Sequence, residues 1–225
     1  MSEIVISTSN LCKTYVSAAL DPVHALKSVE IAIEEGEIVG IMGPSGCGKT
    51  TLLNCLSGLD TIDDGDILIQ GKSLSDLNDD QISEFRAKKM GFVFQTYNLL
   101  PVLNAVENVE LPLLVSGMSA KAARNKAIEK LDEVDLVKQI HQLPGELSGG
   151  QRQRVTIARA LVNDPAIVWA DEPTGNLDSE NEIEIMNLLT QMNKENNQTF
   201  VIVTHSDYVG GRANRIINMK DGEVV

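Results

Sequence analysis

Short apolar runs bounded by turn residues recur along the chain and predict buried strands. The clearest lie at residues 37–42, 90–94, 166–170 and 199–204, and each is followed by a glycine or a polar side chain. Runs of this length are typical of strands buried on both faces. Weaker patterns predict strands at 3–7, 29–33 and 67–70, a turn at 63–66, and a closing hairpin of 214–219 with 223–225. We therefore predict an α/β protein whose N-terminal third contains an antiparallel region.

Apolar residues at helical spacing predict helices at 51–56, 79–89, 104–115, 119–135, 136–142, 148–162 and 179–194. Pro112 is expected to end or kink the third of these. No strand pattern interrupts residues 104–142, which indicates a helical subdomain. We expect one domain in three parts: a core with a β subdomain at 1–95, a helical subdomain at 96–163, and the remainder of the core at 164–225.

The charge balance excludes some partners. Of 225 residues, 32 are acidic and 19 are basic, which gives a net charge of −13. This argues against a nucleic-acid footprint and against docking on anionic lipid headgroups. No apolar run approaches the roughly 20 residues that span a bilayer, and the N-terminus has no basic region of a signal peptide. We expect a cytoplasmic protein whose membrane role, if any, requires a separate partner.

A glycine-rich segment between a predicted strand and a predicted helix is the strongest chemical signal. It consists of Gly43, Pro44, Ser45, Gly46, Cys47, Gly48, Lys49, Thr50 and Thr51. Glycines let successive N–H groups face one anion, and the helix N-terminus adds partial positive charge. We expect Lys49 to reach the β- and γ-phosphates and Thr50 to ligate Mg²⁺. A glycine-rich turn with a chance lysine is the alternative, which the strand and the helix disfavour. Cys47 is either an ordinary free thiol or a site of redox inhibition.

Acidic residues follow another predicted strand. Asp171 and Glu172 come directly after the apolar run 166–170. In a chain with a phosphate loop, Asp171 is the expected acid on the Mg²⁺ side. Glu172 is placed to orient or deprotonate an attacking water.

Three further polar or aromatic residues each allow a functional and a structural interpretation. Gln95 follows a strand, where its amide oxygen would complete a Mg²⁺ shell or would be an ordinary loop side chain. His205 follows another strand, where it would bind a γ-phosphate or be structural. Tyr15 would stack on adenine or be a half-buried surface residue.

A second anion cradle is predicted at residues 148–151. Ser148 is a good N-cap, and Gly149, Gly150 and Gln151 open the following helix. This cradle has no lysine or Mg²⁺ ligand. The economical explanation is that it serves the nucleotide held by another copy of the chain. The apolar loop 97–103 is either a partner-docking surface or part of the core.

Together these motifs resemble the nucleotide-binding domain of ATP-binding-cassette (ABC) transporters over nearly the whole chain and in the family's order. Residues 43–51 resemble Walker A, Gln95 the Q-loop glutamine, and 147–151, Leu-Ser-Gly-Gly-Gln, the family signature. Residues 167–171 resemble Walker B, Glu172 the catalytic glutamate, and 176–178 the D-loop with Asp178. His205 resembles the switch histidine, and Tyr15 the adenine-stacking aromatic.

The resemblance implies a P-loop ATPase core with an antiparallel β subdomain and an inserted helical subdomain. Two copies would sandwich two ATP molecules head to tail, each between the lysine loop of one copy and Ser148 to Gln151 of the other. Thr50, Gln95 and Asp171 would ligate Mg²⁺, and Lys49 and His205 would stabilise charge. The ATPase would drive a separate permease from the inner face of the membrane.

Residues 91–95, 107–113 and 170–178 are similar to one branch, which contains lipoprotein-release, macrolide-export and antimicrobial-peptide-resistance ATPases. Three alternatives remain. A cell-division ATPase would signal through a permease-like partner without transport. A non-transport cassette would usually carry a coiled-coil insertion or a second cassette. A P-loop small-molecule kinase would have no reason to carry the signature.

Overall fold

The computed structural model describes residues 3–17 and 20–225. Strands β1 to β11 comprise Ile4–Ser17, Leu20–Val29, Ala32–Glu34, Ile38–Met42, Asp64–Ile69, Lys72–Ser73, Met90–Phe94, Ile167–Asp171, Thr199–Val203, Arg215–Lys220 and Glu223–Val224. Helices α1 to α7 comprise Lys49–Leu56, Asp79–Lys89, Ala105–Val115, Ala120–Glu133, Gly149–Leu161, Ser179–Asn196 and Asp207–Gly210. Short 3-10 turns occur at Val137–Gln139 and Pro144–Glu146.

The chain divides into two compact units. The first comprises residues up to 84 together with 193–225, and the second comprises residues 85–192. In the described part of the chain, no helix is both long enough and apolar enough to cross a bilayer.

The first unit contains an antiparallel sheet and a mainly parallel one. The antiparallel sheet has the order β2-β1-β5-β6, and β3 also pairs with β1. In the other sheet β4 lies between β10 and β9, parallel to both, and β11 closes a hairpin with β10. Every residue of β9 is buried, as are the first four of β4, which is why these strands read as continuous apolar runs.

The second unit combines a parallel strand pair with a helical layer. β7 and β8 pair from Met90 opposite Ile167 to Phe94 opposite Asp171. α5 packs on β7, and α3, α4 and α5 pack against one another. Asn104 starts α3 with a capping box, in which its side chain accepts from the Glu107 N–H at 3.0 Å and its own N–H donates to the Glu107 carboxylate. This arrangement satisfies N–H groups that the first turn leaves open.

Most predicted elements are confirmed, since helices at 79–89, 104–115, 119–135, 148–162 and 179–194 agree with α2 to α6 within two residues at each end. Pro112 lies inside α3 and does not end it. The charged helix α2 has no buried residue.

The predicted turn at 63–66 was wrong for its last three residues, because residues 64–66 belong to β5. Asp64 pairs with Cys12 and Asp66 pairs with Ser9 across a register shift. The shift allows the chain to continue along β1 despite its turn-like composition.

The predicted strand at 29–33 was also wrong, because it is split between β2 and β3. The Thr8 side chain donates to the Val29 carbonyl at 2.9 Å and accepts from the Ile31 N–H at 3.0 Å. These bonds replace strand pairing at the break.

The predicted helix at 136–142 is a single 3-10 turn instead. The carbonyls of Ile140 and Gln142 accept from the N–H groups of Val106 and Ala105 at the start of α3. They therefore satisfy a neighbouring helix end and do not continue a helix of their own.

Candidate functional site

The predicted phosphate loop connects β4 to α1, as the sequence indicated. Gly48 has φ +105° at the N-cap of α1, and a Cβ there would lie 2.4 Å from the Ala25 carbonyl oxygen. Only glycine fits this position. Having no side chain, Gly48 also leaves the first N–H groups of α1 available to an anion.

Lys49 and the closing hairpin shape this loop. The Lys49 ammonium donates to the carbonyls of Gly43 at 2.8 Å and Pro44 at 2.9 Å. The Gly222 N–H, in the turn between β10 and β11, donates to the Cys47 carbonyl at 3.1 Å. The Cys47 side chain is only 6% exposed, which disfavours the redox hypothesis because oxidation needs an accessible thiol.

His205 lies at the same edge of the sheet as the phosphate loop. Ile41 in β4 pairs with Val203 in β9, and the Thr204 N–H donates to the Ile41 carbonyl at 3.1 Å. The two strands are parallel, so their carboxyl ends meet at one edge, where ligands of open α/β sheets bind. His205 itself is exposed.

Tyr15 makes a specific set of contacts. Its hydroxyl donates to Asp60 Oδ2 at 2.6 Å, and the Lys13 ammonium lies 5.2 Å from the centroid of its ring. Burial and the hydrogen bond to Asp60 raise the pKa of Tyr15. Burial alone would raise the pKa of Asp60, but the hydrogen bonds from Tyr15 and Lys13 outweigh it and lower that pKa. The carboxylate therefore stays ionised beside the ring.

The second unit aligns Gln95 with the predicted acids. Phe94 pairs with Asp171, so Gln95 and Glu172 follow at the same edge. Glu172 has φ +48°, a left-handed conformation that costs a non-glycine residue energy and is common at functional sites. The Asn176 side chain donates to the Gln95 carbonyl at 2.8 Å, which fixes the segment after Glu172 against the glutamine.

The signature segment has the predicted cap. Ser148 accepts from the Gln151 N–H at 3.2 Å, and the Gln151 side chain accepts from the Ser148 N–H at 2.9 Å. This capping box starts α5 at Gly149.

Asn181, which no local pattern indicated, links the signature to the predicted D-loop. Its side-chain amide donates to both carboxylate oxygens of Asp178 at 2.9 Å. Its Oδ1 occupies the space beside Gly150, where an added Cβ would lie 2.2 Å away. Hydrogen bonds from the Asn181 backbone and side chain lower the pKa of Asp178.

Arg159 and Asn108 hold the apolar loop 97–103, and neither was predicted. The Arg159 guanidinium donates to the carbonyls of Asn98 at 2.6 Å and Tyr97 at 2.8 Å. The Asn108 side chain donates to the carbonyls of Leu100, Leu103 and Asn104, and accepts from the Leu100 N–H. Val102 nevertheless remains 82% exposed, so the loop is ordered by polar bonds and presents apolar surface.

The predicted site residues thus form two sets. In the first unit, the phosphate loop and His205 share a sheet edge, and Tyr15 is held by Asp60. In the second unit, Gln95, Asp171 and Glu172 share a strand-end edge, and Asn181 joins the D-loop to the signature. Asp60, Asn181, Arg159 and Asn108 were missed because polar residues in loops and on helices give no local signal of a distant partner.

The residues predicted to hold Mg²⁺ supply the oxygen donors that this ion prefers. The Thr50 hydroxyl and the Gln95 amide lie on exposed residues, and Asp171 is partly exposed at the end of β8. Among the described residues no cluster of three or more histidine, cysteine or carboxylate side chains could hold a metal ion. The predicted Mg²⁺ ligands are a hydroxyl, an amide and only one carboxylate, so the lack of such a cluster among the described residues does not test them.

Residues 26–175, which are more than half of the chain, match the family described as ABC transporter. The chain belongs to the ABC transporter family. This ABC protein is 47% identical over 224 residues to an uncharacterized ABC transporter ATP-binding protein, MJ0796, of Methanocaldococcus jannaschii, covering 98% of this chain and 95% of the relative. It is 45% identical over 224 residues to the lipoprotein-releasing system ATP-binding protein LolD of Pseudoalteromonas translucida, covering 100% and 96%.

A solved structure agrees with the fold. The ABC protein matches a dimeric post-hydrolysis state of MJ0796 bound to ADP and Pi with a TM-score of 0.89 and 46% identity, covering 97% of this chain and 96% of that one. The resemblance inferred from the motifs and the predicted ABC ATPase fold are both confirmed. The protein is an ATP-binding, ATP-hydrolysing subunit of the transporter type.

Proposed function

We propose that two copies of this ABC protein close on two ATP molecules, and that hydrolysis reopens them. The observation that carries the proposal is the pair of unlike anion cradles. The loop at 43–51 has a lysine and the predicted Mg²⁺ ligand Thr50, whereas the Ser148-capped start of α5 has no residue of either kind. The MJ0796 structure bound to ADP and Pi is dimeric. ATP would then favour the closed pair through contacts made only in that state.

Each predicted residue has a role in this scheme. Residues 43–51 bind the triphosphate, Lys49 and His205 stabilise charge on the γ-phosphate, and Tyr15 stacks on adenine. In the partner copy Ser148, Gly149, Gly150 and Gln151 face the γ-phosphate, and Asp178 lies in the D-loop beside them. Residues 96–163 form the helical subdomain that carries this signature.

Thr50, Gln95 and Asp171 would hold Mg²⁺, which neutralises phosphate charge when it is bound. Glu172 accepts a proton from the attacking water or orients it. Glu172 lies just beyond the end of β8 and has φ +48°, whereas Asp171 is the last residue of the strand. The two adjacent carboxylates would therefore serve different purposes.

The dimer would drive a separate membrane permease, and the protein would be cytoplasmic and peripheral on the inner face of the membrane. The exposed apolar side chains of Leu100 and Val102, on a loop held by Arg159, offer a surface for that partner. The similarity to LolD supports export or extraction of a lipoprotein, peptide or macrolide-like substrate.

The test uses the Glu172→Gln variant, which should bind ATP and accumulate as dimers in size-exclusion chromatography with light scattering. Adding Ser148→Arg should keep it monomeric while its affinity for a fluorescent ATP analogue is retained. Ser119→Arg is the matched control, because Ser119 is the exposed N-cap of α4 and its side chain makes no capping bond. If the Ser148→Arg protein still formed ATP-bound dimers, the proposed arrangement would be wrong.

A further inference from the structure

Three side chains of the first unit, Lys13, Tyr15 and Asp60, form a cluster that we call the Tyr15 anchor. Both oxygens of the Asp60 carboxylate are engaged, one by the Tyr15 hydroxyl at 2.6 Å and the other by the Lys13 ammonium at 3.0 Å. The ammonium also donates to the Thr61 carbonyl at 2.6 Å. The tyrosine is therefore restrained at its hydroxyl by a carboxylate and along its ring by a cation.

Burial within the Tyr15 anchor is uneven. Lys13 is only 7% exposed, whereas Tyr15 is 42% exposed. A lysine is rarely buried unless its charge is paired, and here Asp60 supplies that pairing. A buried ammonium and a partly exposed carboxylate thus support a ring that remains open to a ligand.

We propose that Asp60 and Lys13 are positioning residues that hold Tyr15 as a preformed stacking platform for the purine base. The inference depends on the proposed function, in which Tyr15 stacks on adenine. Binding to a side chain that is already ordered avoids the loss of rotamer freedom that a mobile ring would incur. Stacking accepts any base, because every base has a π-face. The Tyr15 anchor therefore adds affinity for ATP and GTP alike.

A purely structural role is the competing explanation, because Lys13, Asp60 and Thr61 also join β1 to the segment after α1. The Thr14 N–H strengthens the same junction by donating to the Asp63 carboxylate at 2.6 Å. Inorganic tripolyphosphate separates the two roles, since it occupies the phosphate loop and has no base. If the residues position Tyr15, their substitution weakens only nucleotide binding. If they are purely structural, their substitution weakens the binding of nucleotide and of tripolyphosphate.

The experiment measures binding of ATP and of tripolyphosphate, each with Mg²⁺, to the full chain by calorimetry. Tyr15→Ala should weaken ATP binding about tenfold, the scale of losing one stacked base. Tyr15→Phe keeps the ring and removes the hydroxyl, which bonds Asp60 and also Thr51. It should weaken ATP binding by about three- to tenfold, as for one newly mobile side chain. Asp60→Ala should weaken ATP binding to the same extent. The double variant Tyr15→Phe/Asp60→Ala should bind ATP no more weakly than Asp60→Ala alone, because both changes remove the same bond.

Asp64→Ala is the matched control, because it removes an exposed carboxylate whose hydrogen bond is to the adjacent Gly65 N–H. It should leave both ligands unaffected, and tripolyphosphate binding should be unchanged in every variant. If Asp60→Ala does not fold, Tyr15→Phe decides the question, because it leaves the pair of Lys13 and Asp60 intact.

Two results would overturn this inference while leaving the adenine contact intact. The first is wild-type ATP affinity in Tyr15→Phe and Asp60→Ala when Tyr15→Ala binds ATP more weakly. The second is an equal loss of ATP and tripolyphosphate affinity in Tyr15→Phe and Asp60→Ala. Wild-type ATP affinity in Tyr15→Ala would instead refute the proposed adenine contact itself, and with it this inference.

Discussion

Two glycines of the phosphate loop share a backbone conformation but differ in their surroundings. Gly46 has φ +79° and Gly48 has φ +105°. A Cβ on Gly46 would meet no atom within 4 Å, whereas a Cβ on Gly48 would lie 2.4 Å from the Ala25 carbonyl oxygen. Replacing each by alanine therefore separates backbone strain from steric overlap in one loop.

The expected magnitudes follow from these contacts. An alanine forced to positive φ costs about 1–2 kcal/mol, and at Gly46 that is the whole effect. At Gly48 the Ala25 carbonyl must also move until it lies beyond 3.0 Å. This carbonyl belongs to β2, which is paired with β1, so the movement adds about 1–3 kcal/mol. Gly48→Ala should therefore lower the free energy of unfolding by about 2–5 kcal/mol.

The assay is urea unfolding without nucleotide, followed by circular dichroism. Alanine also lowers the conformational entropy of the unfolded chain, which favours the folded protein. This contribution is similar at both positions and cancels in the comparison. If the slope of the unfolding free energy against urea concentration is unchanged, the shifts in unfolding midpoint report changes in stability. Equal destabilisation by the two substitutions would refute the reasoning, because it would mean that the Ala25 carbonyl does not constrain the loop.

Changes elsewhere test catalysis, pH dependence and loop order. Glu172→Gln should bind ATP but release phosphate at least ~100-fold more slowly; near-normal turnover would remove Glu172 from its role. Burial would raise the pKa of Glu37, but hydrogen bonds from Arg215 outweigh it and lower that pKa from 4.5. The stability that Glu37 contributes is thus complete above pH 4.5 and lost as the pH falls through the lowered pKa, so urea unfolding of wild type and Glu37→Gln should converge in acid. A stability gap that persisted in acid would contradict this. Arg159→Met removes two hydrogen bonds to loop carbonyls and should cost about 2 kcal/mol in urea unfolding, with faster hydrogen exchange in residues 97–103; unchanged exchange there would show that Arg159 does not hold the loop.

The local pattern of apolar and polar residues was sufficient to locate the candidate functional residues near strand ends. Gln95, Asp171 and His205 each follow an apolar run. In the structure Gln95 directly follows β7, Asp171 ends β8, and His205 lies two residues beyond the end of β9. Ser148 was recognisable as an N-cap for the same reason, since capping depends on residues within one turn. Such features are encoded over a few consecutive residues, so a single sequence reveals them.

The sequence alone therefore determined the phosphate loop, the signature cap and the α/β order of elements, because each depends on neighbouring residues. The tertiary structure alone decided which distant groups meet. Asp60 reaches Tyr15 across 45 positions, and the split between β2 and β3 depends on the Thr8 side chain. Hydrophobic periodicity indicates which face of an element is buried, but it does not identify the partner that a polar side chain will find once the chain has folded.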